Sequence, residues 1–247
     1  MRPLETRDEA LQLVAAGVND CEIARRLGVP RTTVRDWRQP RYVAKRPSLS
    51  RCPRCGERSR RIVLEPETYA ELLRLYLGDG HITQMARSDR IRLFLDAKYR
   101  AIVDESEALL RAMLPDNGVG RVVAHEGRMV VLWAYSSHMT CLFPQHGAGK
   151  KHERRITLEP WQQELVAAAP FAFLRGCIRS DGSVFVNRTG PYEYLSYDFC
   201  NLSQDILGLF ETVCLSLGLR PRRTSSRVRL NRRADVALLL EHVGLKS

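Results

Sequence analysis

The chain of 247 residues has a formal net charge of +11, which favours a polyanionic partner such as nucleic acid. No apolar run reaches the length of a membrane span, and the N-terminus has no apolar signal-peptide core. Seven scattered cysteines are not typical of a disulfide framework. We therefore expect a cytoplasmic, nucleoid-associated protein with no membrane partner.

The basic residues are unevenly chosen and unevenly placed. Arginine accounts for 34 of the 39 basic residues, which suits bidentate contacts with phosphate and guanine, although a GC-rich genome also favours arginine codons. Residues 1–65 carry +7 of the net charge. This concentration indicates an N-terminal region that grips DNA through its backbone phosphates.

Residues 1–40 contain a three-helix pattern. The predicted helices cover residues 6–16, 19–27 and 30–38. Gly17 ends the first helix, Asn19 or Asp20 caps the second, and Gly28 supplies the tight turn before the third. This arrangement resembles a helix-turn-helix of the resolvase or small-regulator kind.

The third of these helices has the composition of a recognition helix. It exposes arginine and threonine side chains, namely Arg31, Thr32, Thr33, Arg35 and Arg38. A recognition helix of this kind lies in the major groove of DNA. The alternative is a three-helix unit that only packs, and we favour DNA reading because the exposed face is arginine-rich.

Residues 41–65 form a basic linker that contains a Cys-x-x-Cys motif at Cys52 and Cys55. This spacing lets two thiolates bind one Zn²⁺. A closed site needs four ligands, and the sequence has no second Cys-x-x-Cys pair. The four downstream cysteines mostly lie in apolar helices or strands that read as core: Cys141, Cys177, Cys200 and Cys214. We therefore expect half of a zinc knuckle, in degenerate form, and favour this interpretation over a filled zinc site.

The rest of the chain contains a repeated unit. Two apolar helical runs end at Asp-Gly, and they read LLRLYLGDG over residues 72–80 and LRGCIRSDG over residues 174–182. Their aspartates, Asp79 and Asp181, lie 102 residues apart. A repeat of this size predicts two similar subdomains, over residues 66–165 and 166–247, that each supply one carboxylate.

The elements predicted after each run follow the same order. In the first half they are a strand over 91–96, a helix over 101–113 and a hairpin over 121–135 that turns at Glu126 and Gly127. In the second half they are strands over 183–188 and 194–201, a helix over 203–217, strands over 222–230 and a helix over 234–243. The predicted fold class is α+β, with two pseudo-symmetric α-β-β-α-β-β-α subdomains and a small all-α helix-turn-helix domain.

The paired runs resemble the motif of the LAGLIDADG (DOD-type) homing endonuclease family, in its single-chain form with two repeats, from about Tyr69 to the C-terminus. The resemblance implies that the two motif helices pack together and that Asp79 and Asp181 bind divalent metal. Carboxylate oxygens suit Mg²⁺, which shares its ligand shell with substrate phosphate. The family also places a lysine after each subdomain to order water, which implies Lys246 in the second and Lys150 or Lys151 in the first. Spacing alone does not decide between these two, and we choose Lys151.

The resemblance further implies that each subdomain's sheet straddles a DNA major groove. Arginines on or beside the predicted strands are then candidate DNA contacts: Arg87, Arg92, Arg188, Arg222, Arg223, Arg227 and Arg229. Two positions depart from the family motif. Arg74 replaces a glycine and Arg179 replaces an aspartate, and we expect both long side chains to snorkel outward from the helix seam.

The function that these patterns favour is sequence-specific binding of double-stranded DNA with Mg²⁺-dependent phosphodiester hydrolysis by a monomer. The catalytic residues would be Asp79, Asp181, Lys151 and Lys246. One alternative is a transcription regulator that keeps the DNA-binding fold without cleavage, which Arg74 and Arg179 favour. Another is an RNA-splicing cofactor, which would prefer structured RNA to duplex DNA.

Overall fold

The computed structural model describes residues 4–38 and 50–246. The chain divides into two compact units, Met1–Pro47 and Ser48–Ser247. Residues 39–49, which end the predicted helix-turn-helix domain and begin the predicted linker, lie outside the described residues. None of the helices in the described ranges combines the length and the apolar character needed to cross a bilayer.

The described part of the N-terminal unit, residues 4–38, contains three helices. They are α1 (Leu4–Ala15), α2 (Asp20–Arg26) and α3 (Arg31–Arg38). Asn19 caps α2, because its side chain accepts hydrogen bonds from the backbone N–H groups of Cys21 and Glu22. Ile23, Val34 and Trp37 are buried between the helices. The predicted helices are confirmed to within two residues at each end.

The C-terminal unit begins with a small hairpin and continues as two α/β repeats. The hairpin consists of β1 (Ser50–Arg51) and β2 (Arg58–Ser59). The first repeat contains α4 (Pro66–Asp79), β3 (Gly80–Thr83), β4 (Asp89–Asp96), α5 (Arg100–Met113), β5 (Val119–Ala124), β6 (Met129–Ser136) and α6 (Met139–Leu142). A 3-10 turn (Lys151–Glu153) and α7 (Pro160–Ala168) connect it to the second repeat. That repeat contains α8 (Pro170–Asp181), β7 (Gly182–Thr189), β8 (Tyr192–Cys200), α9 (Gln204–Ser216), β9 (Arg222–Arg223), β10 (Arg227–Leu230) and α10 (Arg233–His242).

The two repeats share one sheet topology. The sheet orders are β3-β4-β6-β5 and β7-β8-β10-β9, and every pair of neighbouring strands is antiparallel. The registers correspond as well, since Gly80 lies opposite Leu93 and Gly182 lies opposite Phe199. The predicted α+β fold class with two pseudo-symmetric subdomains is therefore confirmed. The boundary at residues 165 and 166 stays a prediction.

The two motif helices lie at the centre of the C-terminal unit. Helices α4 and α8 contact one another more extensively than any other pair of elements in the described residues. Their apolar side chains, such as Leu72, Leu75 and Leu174, are fully buried in one continuous core. Both helices begin with proline, whose fixed φ suits the first helical position, and both end at an aspartate followed by a strand-forming glycine. The fold therefore places both aspartates at one seam.

Candidate nucleic-acid and metal site

The seam between the motif helices is tight enough to require small residues. A Cβ added at Gly78 would lie 2.6 Å from the Cβ of Ser180, and one added at Gly176 would lie 2.8 Å from the backbone oxygen of Glu71. These separations are shorter than van der Waals contact. Gly78 and Gly176 therefore let the two helix backbones approach closely.

The prediction that Arg74 snorkels outward was wrong. Arg74 is fully buried, and its Nη2 donates to Oδ2 of Asp181 at 2.9 Å while its Nε donates to Sγ of Cys177 at 3.1 Å. The side chain fits inside because Gly176 lies opposite it, where an added Cβ would be 2.9 Å from the Cβ of Arg74. The carboxylate of Asp181 compensates the buried charge.

Arg179 does not extend freely into solvent either. Its side chain is only 17% exposed and forms ion pairs with Glu71 and Glu105. Glu71 is itself buried and also accepts a hydrogen bond from Arg175 at 3.1 Å. Glu71 belongs to α4 and Arg179 to α8, so this ion pair links the two motif helices.

The two motif aspartates have different surroundings. Asp181 Oδ2 accepts from Arg74 and from Nδ2 of Asn201, at 2.9 and 2.8 Å. The carboxylate of Asp79 has no hydrogen bond or ion pair within the described residues. Burial and the neighbouring Asp181 raise the pKa of Asp79 to about 6, against the opposing effect of Arg74 and the two lysines.

The two predicted lysines both reach the ends of the motif helices. Lys151 Nζ donates to the backbone oxygens of Tyr76 and Gly80, at 2.5 Å each. Lys246 Nζ donates to the backbone oxygens of Ser180 and Gly182, at 2.6 and 3.3 Å. Burial, followed by the nearby Arg74, lowers the pKa of Lys151 to about 8. Lys150, in contrast, is largely exposed and pairs with Glu153 at 3.4 Å.

Two cavities flank the seam. One of about 690 Å³ has Asp181, Lys151, His81, His146 and Asn201 among its lining residues. The other, of about 430 Å³, has Asp79, Lys246, Lys98, Tyr99 and Arg179 among its lining residues. Each cavity thus combines the aspartate of one repeat with the lysine that follows the other repeat.

The lining of the larger cavity includes His81 and His146. His146 lies in the loop before Lys151, and His81 directly follows the first Asp-Gly. Burial lowers the pKa of both imidazoles. Both are therefore mainly neutral at pH 7, the form that can accept a proton.

The first sheet presents a basic and aromatic open face. On β4, buried Ile91 and Leu93 alternate with half-buried Arg90 and Arg92. The guanidinium of Arg92 lies 5.3 Å from the ring centroid of Phe94 on the same face. Arg90 was missed by the sequence analysis, and the exposed Arg87 lies in the loop between β3 and β4.

The second sheet has a similar face with a different charge balance. Arg227 and Arg229 both donate to Oδ2 of the buried Asp198, at 2.8 and 2.9 Å. Arg222 lies opposite Arg229 in the register and shares its face. The guanidinium of Arg229 lies 5.3 Å from the ring centroid of Phe185, as Arg92 does with Phe94 in the first sheet.

Two predicted DNA contacts lie off this open face. Arg223 lies opposite buried Val228 and donates to Oε2 of Glu211 on α9 at 2.9 Å. Strand alternation places Arg188 on the helix-packed face of β7, where its Nε pairs with Glu193 at 2.7 Å. For Arg223 the sequence could not distinguish the two faces, because β9 is only two residues long.

The predicted recognition helix has the expected exposed face. Arg31, Thr32, Arg35 and Arg38 are exposed on α3, and Thr33 is half-buried. Arg38 also pairs with Asp20 of α2 at 3.6 Å. The opposite side of α3 is anchored by Val34 and Trp37, which are buried. The unit therefore leaves an arginine and threonine surface available for a ligand.

The Cys-x-x-Cys motif has two partners that the sequence analysis missed. The ligand atoms of Cys52, Cys55, His138 and Cys141 all lie within 4.8 Å of one another. The interpretation of Cys141 as a core residue was wrong, because α6 places it beside the β1–β2 hairpin together with His138. The signal was a second pair with the same spacing, His-x-x-Cys, at residues 138–141.

Comparisons with known proteins gave matches to both parts of the chain. Residues 4–45 match the family model of the homeodomain-like domain. Similar solved structures include the N-terminal LAGLIDADG domain of DUF199/WhiA, with 17% identity, a TM-score of 0.46 and coverage of 75% of this chain and 85% of that chain. Another is the homing endonuclease I-WcaI bound to its DNA recognition sequence, with 11% identity, a TM-score of 0.47 and coverage of 74% and 84%.

The match to full-length DUF199/WhiA from Thermatoga maritima has 16% identity and a TM-score of 0.47. It covers 75% of this chain but 57% of that protein. No curated protein sequence gave a significant match. The two-repeat α+β class of the C-terminal unit therefore rests on its own sheet order and register, whereas the N-terminal unit rests on its three helices and on the homeodomain-like match.

Proposed function

We propose that this chain is a monomeric, sequence-specific duplex-DNA-binding protein that hydrolyses phosphodiester bonds at the seam of α4 and α8. The observation that carries the proposal is the crosswise pairing of Asp181 with Lys151 and of Asp79 with Lys246 in two cavities. Two such centres suit a substrate with two antiparallel strands. The arginine and aromatic faces of the two sheets and the exposed side of α3 would supply the DNA contacts.

Asp79 fits a divalent cation such as Mg²⁺. Its carboxylate is largely buried, has no partner within the described residues and has a raised pKa, so a cation would relieve an unfavourable negative charge. Asp79 and the Oδ1 oxygen of Asp181, which no described donor engages, would hold the ion. When bound, Mg²⁺ would stabilise the attacking and leaving oxygens of the phosphodiester.

The lysines are suited to work beside such an ion. Each ammonium is already fixed by backbone oxygens at the end of a motif helix. Lys151, whose pKa is about 8, can exchange a proton with water near neutral pH, which an arginine cannot do. His81 and His146 lie in the same cavity as further neutral proton acceptors.

One observation favours a second candidate function, a transcription regulator without cleavage. The guanidinium of Arg74 already pairs with Asp181 and makes the seam more positive before any metal arrives. Asp79 and Asp181 contribute two negative charges, whereas Arg74, Lys151 and Lys246 contribute three positive charges. The Asp181 centre is therefore less suited to a metal ion than the Asp79 centre.

A selection and cleavage experiment distinguishes these candidates. Duplexes from a random-sequence pool are captured by the full chain in Ca²⁺, inserted into a supercoiled plasmid and incubated with Mg²⁺. Linear product would show cleavage of both strands, and an open circle would show that only one centre is active. Product formation should disappear in Asp79→Asn, which keeps the size of the side chain.

Arg74→Met serves as the matched test of the second candidate, because it keeps an unbranched buried side chain without the charge. If Arg74 restrains the Asp181 centre, this variant should convert nicking, or no cutting, into linear product. Selective capture with no cleavage by the wild type or by Arg74→Met would refute the nuclease proposal and support the regulator. Preference for structured RNA over duplex DNA would refute both.

A further inference from the structure

We propose that Cys52, Cys55, His138 and Cys141 form a closed structural zinc site. Ligands at about 2.0–2.3 Å from a tetrahedral Zn²⁺ lie roughly 3.3–3.8 Å apart. Sγ of Cys55 and Nδ1 of His138 are already 3.4 Å apart, and all four ligand atoms lie within 4.8 Å of one another. A small contraction of the cluster would therefore complete the coordination shell.

The orientation of His138 supports a ligand role for its Nδ1. The other ring nitrogen, Nε2, lies 3.2 Å from the backbone oxygen of Arg58. With its proton on Nε2, the imidazole donates to this carbonyl and turns the lone pair of Nδ1 toward the thiols. Metal-binding histidines generally use such a second hydrogen bond to fix the tautomer and the ring orientation.

Each pair of ligands is preorganised by its local backbone. Cys52 and Cys55 flank the turn of the β1–β2 hairpin, in which the N–H of Cys52 donates to Glu57 at 2.8 Å and that of Gly56 donates to Cys52 at 3.0 Å. Gly56 has φ +75°, which glycine adopts without strain. His138 and Cys141 are three residues apart at α6, so they lie on one side of a helical turn.

The ligand set indicates a structural ion. Three cysteines and one histidine fill all four positions of a tetrahedron, which leaves no position for a substrate or a reactive water. Cys52 and His138 are also buried, whereas a catalytic ion needs access to its substrate. The site shares no residue with the aspartate and lysine seam, so it does not depend on DNA cleavage.

The ion would fasten the start of the C-terminal unit to the first repeat. His138 lies 83 residues beyond Cys55, so the site closes a long loop. Two neighbouring contacts also join this first segment to later parts of the unit. The guanidinium of Arg54 lies 4.1 Å from the ring centroid of Trp161, and Nη1 of Arg60 donates to the backbone oxygen of Asp116 at 2.9 Å. Zinc would therefore fix the segment through which the chain enters the two-repeat unit.

Metal analysis of the full chain, purified without chelators, tests the proposal. We expect about one Zn²⁺ per wild-type chain and a loss of most of it in Cys55→Ser and Cys141→Ser. Cys21→Ser is the matched control, because Cys21 is exposed and belongs to the N-terminal unit. His138→Cys should retain zinc through four thiolates, whereas His138→Ala should not.

A second measurement keeps the test valid if a variant fails to fold. Wild-type protein loaded with Co²⁺ should show the thiolate-to-cobalt charge-transfer band and the strong d–d bands of a tetrahedral site. Added Zn²⁺ should remove both signals. Metal-free wild-type protein that takes up no Co²⁺, or an unchanged zinc content in Cys141→Ser, would overturn the proposal.

Discussion

The ends of the two motif helices are equivalent in the fold and unequal in chemistry. Asp79 and Asp181 occupy the same repeat position, and both precede a glycine that begins the first strand of a sheet. Asp181 accepts from Arg74 and Asn201, whereas Asp79 has no partner in the described part of the chain. The fold thus preserves the position of both carboxylates while the surrounding side chains decide what each can bind.

The difference between the two aspartates originates from an arginine and a glycine that face each other across the seam. Arg74 in α4 and Gly176 in α8 are 102 residues apart and occupy equivalent motif positions. The glycine provides the space that the arginine fills, and the arginine then reaches the aspartate of the glycine's own repeat. One substitution in the first repeat therefore changes the second centre more than its own.

Replacing each aspartate by alanine should give the largest difference in stability between the two repeats. Asp181→Ala leaves the buried guanidinium of Arg74 without its charge partner, which should lower the free energy of unfolding by about 2–4 kcal/mol, with partial exposure of Asp181 reducing the loss. Asp79→Ala removes an unpaired carboxylate whose raised pKa shows that its charge is unfavourable in the folded state, so this variant should not be destabilised at pH 7 and should gain about 1–2 kcal/mol. Urea denaturation measures both values.

The double variant Asp181→Ala with Arg74→Met provides the control. Replacing both partners of a buried ion pair by apolar groups is commonly neutral, so this variant should recover most of the lost stability. Equal losses for the two aspartate variants would show that the repeats do not differ in the way that the structure indicates.

The pH dependence of stability should also distinguish the two aspartates. The pKa of Asp79 is about 6 in the folded protein and about 3.9 in an unfolded chain, so between these values the folded state binds the proton more strongly. The free energy of unfolding contributed by Asp79 should therefore fall as the pH rises from about 4 to 6, by about 1–2 kcal/mol after screening by solvent.

Asp79→Asn should remove this contribution, and the stability difference between the variant and the wild type, measured by urea denaturation at several pH values, should grow in favour of the variant across that interval. Millimolar Mg²⁺ should oppose the fall in the wild type if the ion binds Asp79. A constant difference from pH 4 to 7 would contradict the raised pKa.

Much of this architecture could be predicted from local sequence. The helical periodicity, the Asp-Gly endings and the hairpin at Gly127 specify elements independently of tertiary contacts, and the repeat specifies their order. The repeat also predicts that Asp79 and Asp181 occupy equivalent positions. Spacing did not distinguish Lys151 from Lys150, and the structure places Lys151, but not Lys150, at a motif helix end.

The remaining features depend on contacts between residues far apart in the chain. Arg74 stays inside because of Gly176 and Asp181, and neither position reveals this alone. The third and fourth members of the cysteine and histidine cluster are more than 80 residues from the first pair, and one of them is histidine where a second cysteine was sought. Arg223 turns toward α9 because of its register with Val228.

The two sheets also differ between the repeats, and this difference should have the smallest effect. Arg92 on the first sheet and Arg229 on the second both lie near an aromatic ring, but Arg229 shares the carboxylate of Asp198 with Arg227. The register places Arg92 and Asp198 at equivalent positions of the two second strands. The open face of the first sheet is therefore the more positive surface at its centre.

Arg92→Ala should consequently weaken the binding of a selected duplex by about 1 kcal/mol and reduce the slope of log affinity against log salt by about one. Arg229→Ala should cost less, because the guanidinium of Arg229 is already paired with Asp198 and is less available to a phosphate than that of Arg92. Arg223→Ala is the matched control, and it should leave affinity unchanged since its guanidinium faces Glu211. Fluorescence anisotropy at several salt concentrations measures all three variants. A larger loss for Arg229→Ala than for Arg92→Ala would show that Asp198 orients the second sheet's arginines for DNA instead of neutralising them.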